Sequence, residues 1–83
     1  MELPVEPVTL TVEQIADLNK KLADMRHDIN NKLSLIMAAV DVLQYKPHMI
    51  ERMVATMNEQ PPKIIEAMAK FSAEFELIFG IKR

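Results

Sequence analysis

The run Arg26-His27-Asp28-Ile29-Asn30-Asn31 concentrates the chemistry of this chain. Asn and Asp are poor residues for a helix interior, because their side chains compete for the local backbone. Three of them within one helical turn need a reason. A neutral imidazole is nucleophilic near neutral pH, and its phosphorylated form is reactive and transferable. A carboxylate beside the ring fixes the tautomer and stabilises the positive charge that develops. An amide one turn further on can hold a water for the reverse, hydrolytic step. His27, Asp28 and Asn31 are therefore the candidate catalytic residues, and phosphoryl acceptance by His27 is the chemistry they fit. The competing reading is a polar patch on a solvated helix face.

The rest of the composition narrows the options. Eighty-three residues make one small domain at most. The apolar mass comes from Leu, Ile, Val, Ala and seven Met, with no Trp and a single Gly at position 80, an all-helical profile. One Gly argues against tight-turned sheets and leaves no Gly-rich phosphate loop, so no ATP site is recognisable. No cysteine is present, which excludes disulfides and Cys-based zinc sites. Two distant histidines are too few for a His metal site, so no metal or cofactor of the chain's own is expected. A net charge of −2 and a pI near 5.6 give no drive toward nucleic acid or anionic membrane. No apolar run approaches the roughly 20 residues of a membrane span, and no signal peptide is evident, so a cytoplasmic setting is expected.

The elements that must carry His27 are legible as periodic stripes. Residues 1–10 hold Pro4 and Pro7 and no helical period, and read as an extended N-terminal arm. Thr11 is a predicted N-cap, with Gln14 as its capping-box partner. Ile15, Leu18, Leu22, Met25, Ile29, Leu33, Ile36, Val40 and Leu43 then recur at steps of three and four. They form a stripe about 80° wide on a helix ending near Gln44. Tyr45-Lys46-Pro47-His48 is the break, with Pro47 in the first turn of the next helix. The second stripe is Ile50, Met53 or Val54, Met57, Pro61, Ile64, Met68, Phe71, Phe75 and Ile78. It keeps phase through Pro61-Pro62, which predicts either one kinked helix or two collinear ones. Gly80 marks the stop. Residues 11–80 thus form the helical hairpin and 81–83 a C-terminal tail. His27 lies about 160° from the centre of its stripe and should face solvent, with Lys20, Asp24, Asn31 and Ser34 on that side. His48, near the turn, reads as a surface histidine.

Around Leu33 to Val42 the first helix is apolar on several sides, which asks for neighbours on several sides. The expected fold is all-α: a long antiparallel helical hairpin that forms a homodimer and hence a four-helix bundle.

With His27, Asp28 and Asn31 followed by Leu33, Leu35 and Ile36, the chain resembles the phosphoacceptor helix of sensor histidine kinases. The resemblance covers roughly residues 18–79 and is to the dimerisation and histidine-phosphotransfer domain of that family. It implies that His27 accepts phosphate, Asp28 acts as base and Asn31 positions water for phosphatase activity. These residues contain no counterpart of the family's ATP-binding domain. The implied partners are therefore a response-regulator receiver domain, a separate histidine kinase catalytic domain, or both, with Mg²⁺ supplied by the partner. Pro61-Pro62 departs from the family's second helix. The alternative function is a non-catalytic regulator, antikinase-like, that keeps the docking face without transferring phosphate, or a plain dimerisation scaffold.

Overall fold

The computed structural model describes residues 2–81 as two long helices packed against each other. Helix α1 spans Val12–Tyr45, a 3-10 turn spans Pro47–Met49, and helix α2 spans Ile50–Phe79. Local sequence sets each boundary. The Thr11 hydroxyl accepts from the Gln14 N–H at 3.1 Å, and the Gln14 side chain accepts from the Thr11 N–H at 2.8 Å, a complete capping box. At the other end of α1 the Lys46 N–H donates to the Val42 carbonyl at 2.7 Å, and Pro47 opens the 3-10 turn. Gly80 takes the left-handed conformation at φ 65°, and the Ile81 N–H closes back onto the Glu76 carbonyl at 2.9 Å. Met1, Lys82 and Arg83 lie outside the described residues, so the first residue of the arm and most of the tail are not placed.

Pro61 and Pro62 sit inside an unbroken α2, which settles the collinear question in favour of one helix. Each proline lacks the N–H that would bond the carbonyl four residues earlier, so Met57 and Asn58 lose their usual helical donors. Side chains just upstream bond back onto the helix instead. Thr56 Oγ1 donates to the Arg52 carbonyl at 3.1 Å, and Gln60 Nε2 donates to the Thr56 carbonyl at 2.9 Å.

The seam between the helices follows a heptad on both. On α1 it comprises Leu18, Leu22, Met25, Ile29, Lys32, Ile36, Ala39 and Leu43. On α2 it comprises Met53, Met57, Gln60, Ile64, Ala67, Phe71, Glu74 and Ile78. Among the described residues only Ala39 and Gln60 are buried, each 3% exposed. The Lys21–Glu74 ion pair spans the two helices in their antiparallel register. The stripe read from sequence is wider than this seam. Ile15, Leu33, Val40, Ile50, Val54, Met68 and Phe75 all remain exposed. Ile50 was expected in the core with Met57, Ile64 and Phe71; it stays 56% exposed because a single neighbouring helix covers only part of an apolar stripe.

Leu33 and Val40 on α1 are displaced from the seam toward the same side as Val54, Pro61, Met68 and Phe75 on α2. They make an apolar face that on α1 begins at Leu33, since Arg26 takes the preceding heptad position. Asp17, Lys21, Asp24, Asp28 and Lys70 are displaced toward the other side and, with Glu74 of the seam, make a polar face, with the exposed Leu35 and Leu77 further along that side. The hairpin measures 58 × 26 × 12 Å, a slab one helix thick. Its radius of gyration is 18.1 Å against about 12 Å for a compact chain of this length. Among the described residues no helix is long and apolar enough to cross a membrane.

Candidate functional site

His27 occupies the middle of α1 and is exposed, as its position opposite the stripe requires. Asp28 and Asn31 are exposed too, as are Lys20, Asp24 and Ser34. Helical geometry puts Asn31 one turn beyond His27 and Asp28 about 100° round the cylinder. His48 is exposed in the 3-10 turn, about 30 Å along the hairpin from His27. Among the described residues no hydrogen bond joins His27 to Asp28 or Asn31, and no group of His, Cys, Asp and Glu is set to hold a metal ion.

A groove of about 450 Å³ runs along the polar face between the helices. Its α1 wall carries Asp17, Lys20, Lys21, Asp24, Met25, His27 and Asp28. Its α2 wall carries Ala67, Lys70, Phe71 and Glu74. His27 and Asp28 therefore share one surface depression; Asn31 lies outside it, one turn toward the hairpin tip.

Ion pairs border this groove, and one of them, Lys21–Glu74, is revealed only by the folded register. Lys21 Nζ bonds Glu74 Oε2 across the seam at 2.7 Å and Asp17 Oδ2 along α1 at 2.9 Å. The bond to Glu74, and then that to Asp17, raises the Lys21 pKa above its ordinary value of 10.5. Lys32 Nζ lies 3.5 Å from Asp28 Oδ1. The acid-first i, i+4 spacing of Asp17–Lys21 and Asp28–Lys32 was present in the sequence as a signal for both contacts within α1. Glu74 carries no such signal, because it lies 53 residues from Lys21 and meets it only through the register of the hairpin.

Near the C-terminal end of α2, Phe71, Phe75 and Phe79 form an i, i+4 ladder. Ring centroids are 6.2 Å apart for Phe71–Phe75 and 4.6 Å for Phe75–Phe79. The ladder joins the two faces: Phe71 lines the polar groove while Phe75 belongs to the apolar face.

Comparison of the chain with models of protein families, with curated proteins and with solved structures finds no match.

Proposed function

We propose that this chain is a histidine phosphotransfer module of a two-component phosphorelay, working as a homodimer. The observation that carries the reading is the exposed His27, with Asp28 on one flank and Asn31 one turn away, on the outer side of a rigid helix. An in-line phosphoryl acceptor needs exposure and a fixed position more than it needs a deep pocket. In the proposed step an unprotonated ring nitrogen of His27 attacks the phosphorus of a donor, either an acyl phosphate on a receiver or a nucleotide held by a separate kinase domain. The P–N bond forms as the bond to the donor oxygen breaks, and the donor leaves as its anion. The proton on the other ring nitrogen passes to Asp28 and then to water. Asn31 orients the water used when phosphate is removed from a receiver.

Exposed area supports the dimer. A compact chain of 9.5 kDa exposes about 5,000 Å², whereas this one exposes 6631 Å². The excess is of the size of one partner's share of a substantial interface. The exposed Leu33, Val40, Val54, Met68 and Phe75 recur at a heptad spacing that suits a second copy packed face to face. Such packing leaves His27 on the outside.

The test uses a phosphorylated donor, a kinase domain or a receiver loaded with a small phosphodonor. Acid-labile, alkali-stable label should appear on the wild type and vanish in His27→Gln. A variant His27→Gln that still binds and regulates its partner normally would favour the non-catalytic regulator.

A further inference from the structure

We infer that Lys32 is a positioning residue for Asp28, holding one carboxylate oxygen back toward the seam so that the other is presented to the His27 groove. This rests on the phosphotransfer reading of His27. Asp28 lines the groove beside His27, and Lys32 does not. The ammonium meets Oδ1 at 3.5 Å, and Oδ2 has no partner among the described residues. Lys32 thus meets one carboxylate oxygen from outside the groove lining, and Oδ2 is left for the groove.

The root of Lys32 gives this contact its direction. Lys32 takes a heptad position of the seam, in line with Met25 and Ala39, and its side chain is only 24% exposed. Partial burial of the stem with the ammonium at a carboxylate is a common use of a long basic side chain. A freely solvated lysine at this spacing would contribute little. A lysine anchored by its stem has fewer conformers to lose, so it fixes where the carboxylate points. Charge adds a second reason. Asp24 and Asp28 both line the groove at i, i+4, where like charges repel. Drawing Oδ1 toward Lys32 turns Asp28 away from Asp24 and offsets that repulsion.

The test is a double-mutant cycle on the rate of phosphoryl transfer from a loaded receiver to the full chain. Wild type must first place label on His27; absence of label there overturns the phosphotransfer reading itself. Lys32→Met should then slow transfer by roughly tenfold, part of the roughly 100-fold or more that a positioned acid–base group supplies. Its affinity for the receiver and its helical content should not change. In an Asp28→Asn background the same substitution should cost nothing further, because the group it orients is gone. Lys32→Arg should restore most of the rate, and Lys32→Gln replaces Lys32→Met if the latter fails to fold. Equal slowing with and without Asp28, or no slowing in wild type, would overturn the positioning role.

Discussion

The two faces of the slab differ in kind. One carries Leu33, Val40, Val54, Pro61, Met68 and Phe75, all on the same side of the seam. The other carries Asp17, Lys21, Asp24, Asp28, Lys70 and Glu74 around a groove that reaches His27. Both faces are built by the same heptad on the same two helices, displaced to opposite sides. The difference teaches how a two-helix chain divides its labour. Little is buried between its helices, so in the proposed dimer the apolar face supplies the burial and the polar face is left for the proposed phosphotransfer.

The most damaging way to break this division is to charge the apolar face. Met68→Glu and Val54→Glu would each put a carboxylate into the proposed dimer interface, where an unpaired buried charge costs several kcal/mol. Light scattering at micromolar concentration should give about twice 9.5 kDa for the wild type and loss of the dimer for either variant. Lys70→Glu, an equal insult on the polar face, should leave the dimer intact. A well-folded wild-type monomer at that concentration would contradict the dimer.

The next effect comes from the prolines. Pro61→Ala restores a donor to the Met57 carbonyl and removes a ring clash, a gain of up to about 3 kcal/mol. Thermal melts should show the rise. Pro61 lies on the apolar face, so part of that gain will be lost if its ring packs against the second copy; Pro62→Ala separates the two contributions.

Gln60 should respond less. It is 3% exposed, and its Oε1 is buried without a partner while Nε2 is satisfied. An unpaired buried acceptor costs about 1–3 kcal/mol. Gln60→Leu should therefore raise the melting temperature, less the lost bond to Thr56, and a fall would mean that the amide is better satisfied than its surroundings show. Ala39→Leu, at the buried seam position of α1, should destabilise by about 1–3 kcal/mol through overpacking.

These residues also mark where sequence reasoning ended. The capping box at Thr11, the breaker at Pro47 and the left-handed Gly80 are local, so their sequence signals sufficed. So was the outward placement of His27, which needs only the 3.6-residue period. The portion of each stripe that the other helix covers was not legible, because it depends on the interhelical register, of which the Lys21–Glu74 pair is one contact. For the same reason Ile50 was expected inside and lies outside, while Lys32 and Gln60 occupy seam positions that no polar residue would announce. Of the candidate site, the residue types and the i, i+4 spacing of Asp28 and Lys32 were readable; the groove shared by His27 and Asp28 emerged only from the folded hairpin.

The smallest effect belongs to the Lys21 pair. Because folding raises the Lys21 pKa, its stabilisation is fully present below the unfolded value near 10.5 and is lost as pH rises through the higher folded value. Lys21→Met should thus lower the melting temperature slightly at neutral pH and not at strongly alkaline pH. The difference should shrink with salt, since the group is solvent-exposed.

The measurement that bears most directly on the account is transfer of labelled phosphate from a loaded receiver or kinase domain to the wild-type chain and to His27→Gln. The account predicts acid-labile, alkali-stable label on the wild type, none on His27→Gln, slower labelling in Asp28→Asn, and normal labelling with slower receiver dephosphorylation in Asn31→Ala. Label that persists in His27→Gln, or a wild type that regulates a receiver or kinase without ever carrying label, would contradict it.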